Sequence, residues 1–451
     1  MSDFKSIILA AGAGTRMKSK LAKVLHEVLG KSMIEHVIKT AKLSGSKEIC
    51  VVVGHQAEMV MNNIKDDVEF VMQEEQLGTG HAVMQADDFI EEEGNVLILF
   101  GDAPLITSET IMSMIDFHNE QDNSVTVLSA YVDDPTGYGR IVRDCTGKFL
   151  KSVEQKDATE DERKIKEVNS GIYCFKAKDL KQSLKLISNN NVQNEYYLPD
   201  TLKILMDDDK KVNAIAANDY KEILGVNSKS QLFEATKIMQ KMINYKLMDE
   251  GVTIIDSDFT YIGADVQIGK ESVIYPGTTL MGNTAIGEEC TIGPNTKVTD
   301  STIKNNTYIE NSVINKSCIG QNCNIGPFAY LRPNSVIGDH VKVGDFVEIK
   351  NSNIGNNTKA SHLTYIGDAD VGENVNFGCG TVVVNYDGTK KHRAVIGDNC
   401  FIGCNTNLVS PVIVNSGAYI AAGSTITDEV PENSLAIARA RQVNKTKWAK
   451  N

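Results

Sequence analysis

Residues 357–380, NTKASHLTYIGDADVGENVNFGCG, hold a lone histidine, His362, among aliphatic, small and polar residues that recur at a nearly fixed count. An imidazole titrates near neutral pH and can accept a proton from a reacting group. A single histidine on a surface is more often simply solvated. Its neighbours shift that balance: Arg332 and Lys350, Tyr365 and Asn376 fall at outward places of the same count, and VVVNYDGTKKHRAV interrupts it as a ligand-binding loop would. Zinc chemistry would need more histidines than His340, His362 and His392, which form no HxxxxH pair.

A second set of groups lies near the N-terminus, in IILAAGAGTRMKSKLAKVLHEVLGK. A strand ending at Ala10 leads into a glycine-containing loop with Thr15, Arg16, Lys18 and Lys23, offering backbone N–H groups and cations to phosphates. The dinucleotide pattern GxGxxG fails at Met17 and GxxxxGK[ST] is absent, and taken alone such a turn after a strand is more often a tight connection than a phosphate cradle. NVLILFGDAPLI ends an apolar strand with Asp102 at the edge where open α/β sheets bind ligands. A carboxylate there suits Mg²⁺, although a capping role fits any single Gly-Asp pair. MQEEQLGTGHA adds a glycine turn before a helix, with Gln73, Gln76 and Thr79 able to hydrogen-bond a base edge or phosphate.

The elements that must position these groups change character once. From Ser6 to about Val226, β-rich runs such as EICVVVG and VTVLSA alternate with helical stretches, which predicts an α/β unit with a parallel sheet. Residues 228–250 lack glycine and proline before Glu250 and place Leu232, Ala235, Met239, Met242, Ile243 and Met248 near one helical face, a linking helix. From Gly251 the composition turns to Gly, Asn, Thr, Ile and Val. Ile262, Ile268, Ile274, Leu280, Ile286, Ile292 and Val298 are each six apart, and the count resumes from Ile319 to Ile349 and from Ile396 to Ile426. Small or short residues such as Val266, Thr278 and Cys290 follow four places on. Such hexapeptides build triangular coils, on the order of ten of them, stacked at the ~4.8 Å strand spacing into a prism about 50 Å long. With five-residue slips after Ile349 and Ile366, His362 stands at the third, outward place of its unit, as do Cys379 and Cys404.

A formal net charge of −13 argues against nucleic-acid and anionic-membrane partners. The N-terminus lacks a basic region followed by a long apolar run, no stretch approaches the ~18 apolar residues of a membrane span, and the expectation is a cytoplasmic protein. Nine scattered cysteines without CxxC suggest neither a disulfide framework nor structural zinc.

LAAGAGTRM, KVLHEVLGK, QLGTGHA, FGDAPLI, PTGYGRI, VEQKDAT, VNSGIY and GVNSKSQL, in this order and followed by hexapeptides, resemble the bacterial bifunctional enzymes of UDP-N-acetylglucosamine synthesis along essentially the whole chain. The resemblance implies a Rossmann-like, mostly parallel α/β uridylyltransferase domain over 1–227, a linker helix over 228–250, and a left-handed parallel β-helix with acetyltransferase activity over 251–451. It implies a homotrimer, with UTP, N-acetylglucosamine-1-phosphate, glucosamine-1-phosphate and acetyl-coenzyme A as small-molecule substrates. By the same resemblance Leu9, Ala10, Ala11 and Gly12 hold the nucleotide, Arg16 and Lys23 face phosphates, and Gln73, Gly78 and Thr79 complete the base pocket. Asp102 and Asn227 would bind Mg²⁺, with Asn227 opening the linking helix, and Gly139, Glu154 and Asn169 the sugar. On the prism His362 is the implied general base, with Glu348 orienting it. Arg332, Lys350, Tyr365 and Asn376 are implied to hold the sugar phosphate, and Asn385, Tyr386, Ala422 and Arg439 the acyl donor. Cys379 and Cys404 stand in the donor pocket where alanine and serine are common. A nucleotidyltransferase with a merely regulatory β-helix would lack the outward His, Lys and Arg, and a non-enzymatic exchange-factor subunit would lack the cationic loop and Asp102.

Overall fold

The computed structural model describes residues 4–191, 193–446 and 448. Its chain divides into two compact units, Met1–Met239 and Gln240–Asn451. The first is built on a nine-stranded sheet whose main path runs Val212–Ala216, Val125–Tyr131, Glu167–Lys176, Asn95–Phe100, Phe4–Ala10, Ile49–Val53, Glu69–Met72. The last four are parallel, and three of them, Asn95–Phe100, Phe4–Ala10 and Ile49–Val53, are apolar runs buried on both faces, with Glu69–Met72 as the more exposed edge. Ile8 and Ala10 point into one apolar cluster while Ile7 and Leu9, their alternates, point into another on the opposite face. Glu167–Lys176 runs antiparallel to both neighbours and also pairs with Gly139–Arg143, which continues to Phe149–Val153.

Helices seal the two faces, and their starts are written locally. Ser32 and Glu35 form a capping box at Met33–Leu43, and Thr107 accepts from the Thr110 N–H at the start of Ser108–Glu120. The consequence for chemistry is that the parallel strands end together: Phe100, Ala10, Val53 and Met72 close four adjacent strands at one sheet edge.

In the second unit three parallel sheets of eleven, ten and nine short strands form the faces of a triangular prism, the left-handed parallel β-helix. Ile274, Ile292, Ile309, Ile325, Val343, Ala360, Phe377, Ile402 and Ile420 stack in register on one face. They join one continuous buried core. The hexapeptide count does not lapse between Val298 and Ile319. It shortens, through Ile303, Ile309 and Ile314, which are all buried. Corners demand left-handed backbone, which explains the asparagines: Asn322, Asn334, Asn351, Asn357, Asn374, Asn399 and Asn405 all have φ between 46° and 64°. Small hydroxyl residues fill the inner corners and satisfy backbone carbonyls, as Thr358 Oγ1 does by donating to Gly372 O at 2.9 Å.

The helix after the first unit's last strand spans Lys229–Asp249. Its apolar face differs from the spacing reading: Met242 is 40% exposed, and the buried positions beside Met239 and Leu247 include Gln240 and Asn244. Those two amides donate to Thr260 O at 2.7 and 3.1 Å, satisfying backbone at the first coil. A polar pair serves there because the end of a prism exposes carbonyls rather than apolar side chains.

Candidate active sites

In the first unit, Leu9, Ala10, Ala11, Gly12, Lys23, Gln73, Gly78, Thr79 and Asp102 line one cavity of about 300 Å³. Gln73 is buried and donates to Gly78 O at 3.1 Å, fixing the glycine turn against the sheet edge. Gly78 has φ 106°, and a Cβ there would lie 2.6 Å from Tyr196 O, so this turn accepts no side chain. An adjoining cavity of about 710 Å³ shares Thr79 and Phe100 with the first and is lined by Gly139, Glu154 and Asn169. Asn169 pairs with Gly139 across the antiparallel strands, and its Nδ2 donates to Tyr173 Oη at 2.8 Å. Glu154 faces this opening. Desolvation by the cavity walls, reinforced by Asp157 and Asp200, pushes its carboxyl above the usual range.

Asn227 reaches the site without opening a helix. It precedes Lys229–Asp249 in a loop, its own N–H donating to Gln231 Oε1 at 2.8 Å. The loop is docked by Val226 N–H donating to Asp102 O at 2.9 Å. Arg16 donates to Asn227 Oδ1 at 2.9 Å and Lys23 to the same atom at 3.0 Å, while the Lys23 ammonium also pairs with Asp102. Two hard oxygens therefore converge on one cation. That donor set fits Mg²⁺, which takes few protein oxygens and draws the rest of its shell from water and phosphate.

In the second unit a surface cavity of about 400 Å³ is lined by Arg332, Lys350, Asp368 and Lys391. Lys350 pairs with buried Asp368 at 3.4 Å. The Asp368 carboxylate also accepts from Asn351 and Asn385, each at 2.5 Å. Burial pushes that carboxyl up, but these amides and Lys350 outweigh it and hold it below its ordinary value. The ammonium of Lys391 lies against that of Lys350, which lowers its proton affinity, as expected of two cations prepared for one anion. Tyr365 extends along the face because Gly367 has no side chain: a Cβ there would sit 2.3 Å from Tyr365 Oη.

His362 is exposed, at the end of the strand Lys359–His362. Its Nδ1 meets Asp345 Oδ1 at 2.5 Å. The expectation that Glu348 orients this imidazole is corrected, because Glu348 lies on a different face of the coil and accepts from Arg332 at 2.7 Å. Asn376 begins the next strand of His362's sheet. Above His362, Cys379, Cys404 and Ala422 occupy the same place on successive coils. The backbone ladder Asn405 N to Cys379 O and Gly423 N to Cys404 O, both 2.8 Å, sets that register. Arg439 lies 3.6 Å from a Cβ built on Gly423, beside Ala422. Asn385 is buried against Asp368, whereas Tyr386 is 55% exposed and donates to Gly388 O at 2.6 Å, shaping the inserted loop.

Sequence reasoning missed Asp345, Asp368 and Lys391. For Asp345 the signal existed: it stands two places after Val343 as His362 stands two after Ala360, one coil below. Lys391 sits in the insertion, where the count assigns no place.

The Nucleotidyl transferase family matches residues 5–241, the GMPPB C-terminal domain residues 260–360, and the bacterial transferase hexapeptide family residues 393–428. Curated relatives named bifunctional protein GlmU match almost end to end. One from Clostridium acetobutylicum is 55% identical, covering 98% of this chain and 97% of the relative. Those from Acetivibrio thermocellus and Thermoanaerobacter pseudethanolicus are 55% and 56% identical, covering 99% of this chain and 97% and 98% of the relatives.

Proposed function

The chain belongs to the GlmU family of bifunctional enzymes, which transfer acetyl to glucosamine-1-phosphate and uridylyl to N-acetylglucosamine-1-phosphate in cell-wall precursor synthesis, and we propose that its two units divide the work as follows. Acetyl transfer runs on the prism. The substrate phosphate sits among Arg332, Lys350 and Lys391, leaving the sugar amine beside His362. The amine nitrogen attacks the thioester carbonyl of acetyl-coenzyme A and its proton passes to His362 Nε2. As the C–N bond forms, the C–S bond breaks, and the thiolate takes up that same proton from the imidazolium to leave as the free thiol, returning His362 to its neutral form. The column His362, Cys379, Cys404, Ala422 offers a path for the donor's extended arm, with Arg439 toward its phosphates.

Uridylyl transfer runs in the first unit. An oxygen of the sugar phosphate attacks the α-phosphorus of UTP in line, and the bond to the bridging oxygen of pyrophosphate breaks. Lys23 and Arg16 turn their cations to the phosphates, the Gln73 amide and Gly78 backbone read the base, and Glu154 and Asn169 hold the sugar. Asp102 and Asn227 would hold Mg²⁺, which when bound neutralises phosphate charge. The observation that carries this reading is the presence, in one chain, of two oxygens converging on a cation in the first unit, and of both a carboxylate-held histidine and a paired-lysine pocket on the second.

A homotrimer in the cytoplasm completes the proposal. On the prism Phe328, Phe346 and Leu363 are each more than half exposed on successive coils, and the two phenylalanine rings stack at 5.3 Å. This apolar column adjoins Asp345 and His362, so a neighbouring copy covering it would turn a convex wall into a cleft. Supplying UTP, Mg²⁺, acetyl-coenzyme A and glucosamine-1-phosphate together should release free thiol and pyrophosphate. Thiol release with no pyrophosphate, or the reverse, would contradict a bifunctional chain.

A further inference from the structure

We propose that Asp345 is the positioning residue of the acetyl-transfer site, holding His362 in the tautomer that leaves Nε2 free to accept the amine's proton. This rests on the reading of His362 as the base. The two residues are register partners on the parallel strands Lys342–Asp345 and Lys359–His362, and Nδ1 and Oδ1 are 2.5 Å apart. The strands are pressed together just before the pair: a Cβ on Gly344 would lie 2.0 Å from Ser361 O, so the aspartate arrives on backbone that nothing larger could bring so close. The backbone at His362 is held as well, since Thr364 Oγ1 donates to His362 O at 2.7 Å and Leu363 N–H donates to Asp345 O at 2.9 Å.

An ionised carboxylate only accepts hydrogen bonds, so a neutral imidazole meeting it at Nδ1 must carry its proton there and present a lone pair at Nε2. The hydrogen bond from His362 keeps the Asp345 carboxyl below its ordinary value, so the acceptor stays ionised at neutral pH. When Nε2 takes the amine's proton, the imidazolium forms next to an anion already in place. The other charged groups near the pair do not substitute for it. Lys342 and Lys359 lie on the same two strands and are cations, Glu348 is bonded to Arg332, and the next strand of the sheet offers the neutral Asn376.

The experiment compares Asp345→Ala, Asp345→Asn and His362→Ala in the full-length protein, following free thiol from acetyl-coenzyme A and glucosamine-1-phosphate, with uridylyl transfer as the check on folding. Asp345→Ala should lower kcat by about 10- to 100-fold, the cost typical of losing a histidine's carboxylate partner, with both KM values within about twofold. Asp345→Asn keeps an acceptor but not the charge. It should recover part of kcat and move the acid limb of kcat/KM to lower pH, because the imidazole then gives up its proton more readily. A purely structural role would move neither that limb nor the split between kcat and KM. The proposal is overturned if Asp345→Ala keeps kcat within threefold while His362→Ala collapses, or if the acid limb of Asp345→Asn stays in place. An active His362→Ala overturns the general-base reading itself, and Asp345's role with it. If Asp345→Ala also loses uridylyl transfer, the pH profile of Asp345→Asn decides alone.

Discussion

Lys23 donates through Nζ to Asn227 Oδ1 at 3.0 Å, joining the loop after the first strand to the loop before the long helix across 204 residues of chain. Asp102 shares the same ammonium, so Lys23 lies between the two oxygens proposed to hold the divalent cation. On the proposed reading, a bound Mg²⁺ would compete with Lys23 for that pair of oxygens. Asn227→Ala should raise the Mg²⁺ concentration giving half-maximal uridylyl transfer by about tenfold, with much of the rate restored at high Mg²⁺. An unchanged Mg²⁺ dependence would remove Asn227 from the metal's shell.

Cys379 and Cys404 lie outward, one half-buried and one exposed, on the coils above His362. Alkylation of these thiols should slow acetyl transfer and spare uridylyl transfer, and coenzyme A should protect against it. Rates of inactivation with and without coenzyme A check this. Equal loss of both activities, or no protection, would move the donor's arm elsewhere.

Asp368 gathers Lys350, Asn351 and Asn385 around one buried carboxylate. Its folded value is depressed, so its stabilisation is present above the unfolded value near 4 and is lost as pH falls through the folded value. Asp368→Asn should cost about 1–3 kcal/mol at pH 7 by leaving Lys350 without its anion, with a smaller difference from the parent below about pH 4. Thermal unfolding across pH measures it. A constant difference at all pH values would show that the charge is not what matters.

Phe346→Glu puts a charge into the exposed column Phe328, Phe346, Leu363. The proposed trimer should dissociate and acetyl transfer fall at least tenfold, while uridylyl transfer persists. Light scattering and both assays on one preparation test it, and a monomeric parent with full acetyl transfer would contradict the shared cleft.

Outside the shortened coils at Ile303, Ile309 and Ile314 the prism was legible because a buried aliphatic every six positions is a direct physical requirement of a triangular coil, and that requirement placed His362, Cys379 and Cys404 outward. Side-chain partnership was not. Glu348 and Asp345 are both acidic and both near His362 in sequence, and the place each holds within its unit had to be carried through coils shortened by a residue to show that Asp345 faces it. In the first unit the apolar runs announced the strands and their ligand-binding edge. Asn227 came from resemblance alone, since what carries it to Asp102 is one backbone hydrogen bond from Val226 that no local pattern encodes. On the long helix Ala235, Met239, Ile243 and Met248 do face inward, but the buried Gln240 and Asn244 went unread for the same reason: coil carbonyls need donors, which apolar periodicity cannot register.

The central claim is that one chain holds two independent chemistries, and it is tested most directly by assaying His362→Ala and Asp102→Ala side by side for both reactions. His362→Ala should lose 10²- to 10⁴-fold of acetyl transfer, mostly in kcat, with uridylyl transfer unchanged. Asp102→Ala should abolish Mg²⁺-dependent uridylyl transfer and leave acetyl transfer intact. If His362→Ala keeps acetyl transfer within about threefold of the parent, or if either substitution lowers both reactions together in a protein of unchanged assembly, the division of labour proposed here is wrong.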